Sequence, residues 1–394
     1  MTDAANGPPI ELSPLAGIRV ADFSRVLAGP LATMTLADLG ARVIKVERPG
    51  TGDDTRAWGP PFSPTGSTYF ESVNRNKESV CLDLTDEGDL ALALTLATRA
   101  DVIVENFRPG TMDAVGLGYE AVRSRNPRAI YVSITGFGSG SGADIPGYDF
   151  VVQALGGLMS VTGETGGEPM KVGVALVDVI TAKDVTIGVL AALRARETTG
   201  EGCRLELNLL SSLQGALANQ AQAFLGSGRN PERLGNVHPS IAPYQSLACS
   251  DGDLAIACGN NSQFVKLVTL LSIPELAEDL RFASNPERVR NREALVELLE
   301  GKLAGDTAKR WERLLTEAGV PAGHVASIGE GIGYAESLGL APTIDVVDAN
   351  GVVVGTQIRH PISWTPPLVA RRGAPPTLGE HDGQIRTWLA KEEQ

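Results

Sequence analysis

The first 140 residues of this 394-residue chain alternate between short apolar runs and longer helical patterns. The apolar runs, typical of β-strands, cover residues 18–23, 42–47, 79–84, 101–106 and 129–135. Helical patterns lie between them at residues 28–40, which end on a glycine, and at residues 86–100. Strands that alternate with helices predict a mostly parallel sheet with helices on both faces. The sequence therefore predicts an α/β fold here.

The rest of the chain predicts a second domain. A long helix is expected at residues 179–196 and a strand at residues 203–210. From about residue 228, two short strands joined by a tight turn and three helices indicate a smaller α+β domain. The strand-rich tail from about residue 343 is expected to return to the first domain. The predicted large domain is residues 1–205 and 343–394, the small domain 228–328, and the linkers 206–227 and 329–342.

Composition excludes several classes of function. The net charge of -13 argues against general binding to nucleic acid or to a membrane surface. No apolar run approaches the ~18 residues of a membrane span, and the N-terminal MTDAANGPPIELSP is typical of a loose tail rather than of a signal peptide. The four cysteines and four histidines lack metal-ligand spacing, so we expect reduced thiols, a cytoplasmic protein and no bound metal.

Neither of two glycine-containing turns fits the context of a nucleotide site. The first strand-to-helix turn, SRVLAGP, has one glycine and fails the dinucleotide pattern. The second, from Gly138 to Ala143, matches its letters but runs into Asp144-Ile145-Pro146 and not into a helix. Both observations argue against a nicotinamide-dependent oxidoreductase.

Several polar residues are candidates for a site, each with a structural alternative. Arg48 and Arg75 lie near strand ends and could bind phosphate or simply face solvent. Asp178 precedes the long helix and could be its N-cap, an anion stabilised by the helix, or both. Tyr148 and Asp149 could be a buried pair, and His238 lies on a loop of the small domain where it could reach a ligand.

Six segments follow one another along the chain in this order: SRVLAGP, ADLGARVIKVERPGTGDDTR, NRNKESVCLDL, ENFRPG, GYD and GVALVDV. Together they resemble the class III CoA-transferases (CaiB/BaiF type), over about residues 15–385. NLLSSLQG, GNVHPSIAPYQS and GNNSQF look like the succinyl-CoA:glutarate branch of that family. The resemblance implies a Rossmann-like large domain without a dinucleotide, a smaller domain, and a homodimer whose subunits are interlocked.

The resemblance also implies roles for individual residues. Asp178 matches the family's catalytic aspartate. The residues implied to bind coenzyme A are Val26, Leu27, Ala28, Arg48, Leu82, Leu84, Asn106 and Phe107. Ala114 stands where some members have a basic residue, so phosphate binding is expected to depend on Arg48 and Arg75. Coenzyme A is then a substrate, and no permanently bound cofactor is expected.

The chemistry of an aspartate nucleophile agrees with this function, because a mixed anhydride keeps the transfer potential of a thioester. A short dicarboxylate is the expected acceptor, and its second carboxylate would be read by Asn236, His238 and Ser240, with Tyr148 and Asp149 nearby. His238-Pro239-Ser240 replaces a glycine-rich loop of the formyl-CoA transferases, so formate and oxalate are less expected.

Two alternatives stay open. One is a racemase of the same family, which would need a histidine where this chain has Tyr148. A tyrosine hydroxyl, with an ordinary pKa of about 10, is a poor base at neutral pH. The other is an acyl-CoA-binding protein without catalysis, against which the presence of Asp178 argues.

Overall fold

A computed structural model describes residues 11–391, so most of the predicted N-terminal tail lies outside the described residues. Up to residue 208 the strands are β1 (Arg19–Asp22), β2 (Arg42–Glu47), β3 (Phe62–Ser63), β4 (Gly66–Ser67), β5 (Lys77–Cys81), β6 (Val102–Glu105), β7 (Ile130–Thr135) and β8 (Arg204–Asn208). The helices up to residue 227 are α1 (Ala28–Asp38), α2 (Thr68–Glu71), α3 (Glu87–Arg99), α4 (Thr111–Ala114), α5 (Tyr119–Arg123), α6 (Asp149–Leu155), α7 (Leu158–Val161), α8 (Leu176–Thr199), α9 (Leu209–Ala216) and α10 (Ala218–Ser227).

The strands that follow are β9 (Tyr244–Ala248), β10 (Asp253–Ala257), β11 (Ala322–His324), β12 (Thr343–Val347) and β13 (Val353–Ile358). The helices that follow are α11 (Asn261–Leu270), α12 (Asn285–Arg290), α13 (Arg292–Leu303), α14 (Ala308–Glu317), α15 (Ile328–Ser337) and α16 (Asp382–Ala390). Every strand and helix predicted above is present, and most ends agree within two residues.

The main sheet is parallel throughout, in the order β5-β2-β1-β6-β7-β8. This confirms the predicted parallel α/β fold. Its central strands are apolar on both faces, as parallel strands covered by helices usually are. The chain runs outward from β1 in one direction and from β6 in the other, so these two strands form the switch point of the topology. Ligands of such sheets bind at the carboxyl ends of the strands beside the switch point.

Alternate residues of the strands enter two separate hydrophobic clusters. Val20 and Val102 pack on one face with α1, α8 and α9. Ala21 and Ile103 pack on the other face with α3 and α16. The helix α16 comes from the last part of the chain, and its Ile385 and Leu389 are buried in this second cluster.

The chain divides into two compact units. Unit 1 contains the residues up to Leu158, Lys171–Arg229 and the residues from Ala341 onward, and unit 2 contains Met159–Met170 and Asn230–Leu340. The two segments expected to be linkers contain helices: residues 206–227 carry α9 and α10 within unit 1, and residues 329–342 carry most of α15. Residues 159–170 group with unit 2 through contacts distant in sequence, which no local pattern predicts.

Unit 2 has its own core. Its antiparallel sheet has the order β11-β10-β9, and Leu254 and Ile256 of β10 pack against α11, α13 and α14. Among residues 11–391, no helix is long and apolar enough to cross a bilayer.

Candidate active site

The glycine loop after β7 brings α6 back to the sheet. Gly136 and Gly147 meet at the base of this loop, where a Cβ on Gly136 would lie 2.5 Å from the Cα of Gly147. Only glycine permits this contact, because real side chains do not approach a backbone so closely. Because the loop closes at this contact, α6 begins at Asp149, close to the end of β7.

Asp178 lies in the first turn of α8 and is not its N-cap. The helix begins at Leu176, three residues before the predicted start, and Ala175 occupies the cap position without a capping side chain. Asp149 supplies the cap from another helix, since its Oδ2 accepts hydrogen bonds from the backbone N–H groups of Val177, at 2.8 Å, and Asp178, at 3.3 Å. The N-cap interpretation of Asp178 is therefore wrong, and its carboxylate is not used to cap the helix.

Two carboxyl groups lie together in this site, and neither is in an ion pair within residues 11–391. Burial, and then the negative charge of Asp149, raise the pKa of Asp178 to about 7. Gln153 Nε2 donates to Asp149 Oδ1 at 2.6 Å. A carboxyl group with a pKa near neutrality, held in a cavity, is typical of a catalytic base or nucleophile.

Asp178 lines a cavity of about 310 Å³ at the carboxyl ends of β1, β6 and β7. The sequence-predicted residues in its wall are Val26, Leu27, Ala28, Asn106, Phe107, Tyr148, Asp149 and Asp178. They come from four separate stretches of chain, which the sheet order and the start of α8 bring together. Tyr148 is largely exposed, at 60% of its surface, so its interpretation as a buried residue is wrong.

A second cavity, of about 260 Å³, adjoins the first. It contains the predicted residues Arg48, Leu82 and Leu84, and its lining is mostly apolar. Arg25 and Phe107 line both cavities. An extended ligand that filled both cavities would have one end in the apolar cavity, its middle beside positive charge and its other end at Asp178.

Arg75 lies apart from the predicted residues that line these two cavities. Its guanidinium forms a buried ion pair with Asp38 at 2.6 Å, donates to the carbonyl of Ile358 at 3.0 Å, and lines a different cavity. The reason is strand direction. Arg75 precedes β5 and lies toward its amino end, whereas Arg48 follows β2 at the carboxyl edge where the candidate site lies.

The predicted residues Asn236, His238 and Ser240 belong to one loop of unit 2. His238 Nδ1 accepts a hydrogen bond from the N–H of Ser240 at 3.1 Å, and Arg292 donates to the carbonyl of His238 at 2.8 Å. Because Nδ1 is an acceptor, the neutral ring carries its proton on Nε2. This nitrogen can then donate to an anionic group.

One residue of the site was missed by the sequence analysis. Arg25 is found in the wall of both cavities, and its position shortly after β1 was a usable signal. Tyr69 lines neither cavity, but burial, and then the charges of Asp178 and Asp149, raise its pKa to about 12. The ring of Tyr69 packs edge-on against Trp58, with centroids 5.1 Å apart.

A buried network of charges supports the turn that carries Arg25. Lys45 Nζ lies 2.9 Å from Asp53 Oδ2 and donates to the carbonyl of Ser24 at 2.8 Å. Lys77 Nζ lies 3.0 Å from Asp22 Oδ2, and all four of these charged side chains are fully buried. Removing one partner of such a pair would leave a buried charge uncompensated. The network therefore holds the end of β1 in one conformation.

The model of CoA-transferase family III matches residues 15–382. The chain belongs to this family. This confirms the resemblance seen in the sequence, and the protein is an enzyme of the class III CoA-transferase family.

Similar proteins agree with that membership. A succinyl-CoA:glutarate CoA-transferase from Mus musculus is 41% identical, over 95% of this chain and 86% of the relative. An acetyl-CoA:oxalate CoA-transferase from Acetobacter aceti is 41% identical over 84% of this chain and 85% of the relative. The crystal structure of a CAIB/BAIF family protein from Brucella suis superimposes with a TM-score of 0.88 at 43% identity, covering 96% of this chain and all of the other.

Proposed function

We propose that this CoA-transferase moves coenzyme A from succinyl-CoA to a short dicarboxylate, with glutarate as the acceptor, through a covalent anhydride on Asp178. The observation that carries the proposal is the Asp178 carboxylate itself, which has no cationic partner among residues 11–391, lines a cavity at the switch point and has a pKa of about 7. A carboxylate of raised pKa is a stronger nucleophile than an ordinary one and is still ionised in part at neutral pH.

The choice of aspartate follows from the energy of the bond that it forms. A serine ester would lose the transfer potential of the acyl thioester, and the reaction would stop or end in hydrolysis. An anhydride keeps that potential, so no other energy source is required. The start of α1 supports the same chemistry, because Leu27 caps the helix without a side-chain bond and Ala28 lines the cavity, which leaves helix N–H groups for a developing oxyanion.

The transfer balances in four steps. An Asp178 oxygen attacks the succinyl carbonyl carbon, the carbon–sulfur bond breaks, and CoA leaves as a thiolate. The thiolate then attacks the aspartyl carbonyl of the anhydride, which releases succinate and forms an aspartyl-CoA thioester. Glutarate attacks that thioester, giving a new anhydride and free thiolate. The thiolate finally attacks the glutaryl carbonyl, and Asp178 is regenerated as the carboxylate.

The acceptor is proposed from chemistry and from relatives. The two relatives described above are named for glutarate and for oxalate, which are both dicarboxylates. A second carboxylate on the acceptor requires a hydrogen-bond donor. The Nε2–H group of His238 is our candidate, with Asn236 and Ser240 beside it on the same loop.

We expect a tenfold to hundredfold higher kcat/KM for glutarate than for butyrate, because donors left unpaired by a monocarboxylate cost about 1–3 kcal/mol. His238→Ala should remove this preference by lowering the glutarate rate, while His238→Gln, which keeps an N–H donor, should retain part of it. The measurement is the initial rate of acyl-CoA formation, followed by mass spectrometry, with oxalate as a third acceptor to test chain length. Equal rates with glutarate and butyrate in the wild type would show that the second carboxylate is not read.

We further propose that the enzyme is an interlocked homodimer. The chain passes between its two units more than once, and α10 and α15 bury none of their residues within the single chain. Leu225 and Ile328 on these helices are 73% and 87% exposed, which is typical of surfaces that a partner covers. Analytical sedimentation at nanomolar concentration should show a dimer, and a stable, active monomer would refute the proposal.

A further inference from the structure

The backbone of Arg25 is held from both sides by one amide side chain. The N–H of Arg25 donates to Asn106 Oδ1 at 2.9 Å, and Asn106 Nδ2 donates to the carbonyl of Arg25 at 2.8 Å. Arg25 follows β1 and Asn106 follows β6, so the two bonds join the loops on either side of the switch point. The family resemblance implies that Asn106 binds coenzyme A. In the structure, both the oxygen and the nitrogen of its side-chain amide form hydrogen bonds to the backbone of Arg25.

The neighbours of Arg25 are fixed as well. Lys45 binds the carbonyl of Ser24 at 2.8 Å, and the N–H of Val26 points to the Asp53 carboxylate at 3.3–3.4 Å. Val26 has a φ of +70°, a left-handed conformation that is unfavourable for a β-branched residue. A strained turn persists only where its surroundings impose it, and here side chains from β2, from the loop after β2 and from the loop after β6 do so.

The guanidinium of Arg25 is presented at the junction of the two cavities. It lies over the ring of Phe107, 4.6 Å from the centroid, and Phe107 lines both cavities too. Arg48 pairs with Asp54 and Arg75 with Asp38, but Arg25 forms no ion pair within residues 11–391. Partial burial, and then the positive charge of Arg48, lower the pKa of Arg25, although the negative charges of Asp54 and Asp53 act in the opposite direction. A partly desolvated guanidinium that is not in an ion pair keeps its N–H donors available for an anionic ligand.

We propose that Arg25 binds the diphosphate of the CoA thioester and that Asn106 is a positioning residue that acts through the backbone of Arg25. The inference rests on the proposed function and adds the residue that recognises the substrate's charge. Coenzyme A has its diphosphate between the adenosine and the pantetheine arm. Arg25 likewise lies between the apolar cavity of Leu82 and Leu84 and the cavity of Asp178. Arginine presents N–H donors in a planar fork that matches phosphate oxygens.

The test compares two donors that differ in the nucleotide. Succinyl-CoA carries the phosphates, and succinyl-pantetheine has the same thioester without them. Arg25→Gln should lower kcat/KM for succinyl-CoA about tenfold to a hundredfold, mainly through KM, and leave succinyl-pantetheine within about twofold. Arg25→Lys should recover part of the loss, because it restores the charge without the fork. Arg290→Gln, an exposed residue of unit 2 paired with Glu287, is the matched control.

The role of Asn106 is tested by combining variants. Asn106→Ala should show the same selectivity for the phosphorylated donor, and the double variant should be no worse than Arg25→Gln alone, because both act through one contact. Additive losses would mean that Asn106 binds coenzyme A directly. Equal losses for both donors in Arg25→Gln, or none, would overturn the assignment of Arg25.

Binding separates this inference from the proposed function. If the wild type transfers no CoA to any dicarboxylate, the proposed function fails. Calorimetric titration with CoA then still decides the role of Arg25: weaker binding in Arg25→Gln, with no matching change for pantetheine, supports it, and unchanged binding contradicts it.

Discussion

Asp178→Asn and Asp178→Ala are expected to reduce CoA transfer by more than about a thousandfold, because neither side chain can form the acyl anhydride. Asparagine keeps the shape of the residue and its backbone hydrogen bond to Asp149, so the loss would report on chemistry and not on folding. The measurement is the rate of glutaryl-CoA formation from succinyl-CoA and glutarate. Glu278→Gln, which changes an exposed carboxylate of unit 2 in the same way, is the control.

A covalent adduct gives an independent readout of the same prediction. Wild-type protein mixed with succinyl-CoA and quenched in acid should gain the mass of a succinyl group or of CoA, and Asp178→Asn should gain neither. A variant that retains more than a few percent of the wild-type rate would remove Asp178 from the role of nucleophile.

The same Asp178→Asn variant is expected to be more stable than the wild type at pH 8. The ordinary pKa of the carboxyl is 3.8 and burial beside Asp149 raises it to about 7, so folding disfavours the charged form. Well below pH 3.8 the carboxyl is protonated in both the folded and unfolded states and contributes nothing. As pH rises toward 7 the unfolded state loses the proton first, and the wild type loses stability. Above pH 7 the full cost applies, on the order of 4 kcal/mol for this difference in pKa.

Thermal unfolding of the two proteins from pH 4 to pH 8 would check this expectation. The advantage of Asp178→Asn should be largest at pH 8 and should shrink toward zero at pH 4, while Glu278→Gln should follow the wild type throughout. An advantage that does not depend on pH would mean that charge burial is not its cause. Taken together, the two results would show an active site that lowers stability to keep a reactive group.

The alternation of strands and helices could be predicted because it depends on local composition. Residues such as Val102 and Ile103 form a run that only a buried strand accommodates, and the structure places them in two different cores. The start of α8 could not be placed by the same means. Its cap is Asp149, 28 residues before Val177, and a cap supplied from another helix leaves no mark beside the helix it serves.

The two predicted arginines differ in their positions relative to the strands. Arg48 follows its strand and Arg75 precedes one, and this order can be read from the sequence once the strands are predicted to be parallel. In a parallel sheet only the carboxyl ends meet at the ligand edge, so Arg48 lies in the candidate site while Arg75 forms a structural ion pair with Asp38.

The sequence by itself determined the α/β class, the family and the candidate nucleophile, because these depend on runs of neighbouring residues and on motifs in a fixed order. Tertiary structure alone decided the state of that nucleophile and the residues that surround it. The pKa of Asp178 depends on burial and on a carboxylate 29 residues away in the chain, and the presentation of Arg25 depends on an amide 81 residues away. Burial and through-space charge are properties of a three-dimensional arrangement, and no local pattern contains them.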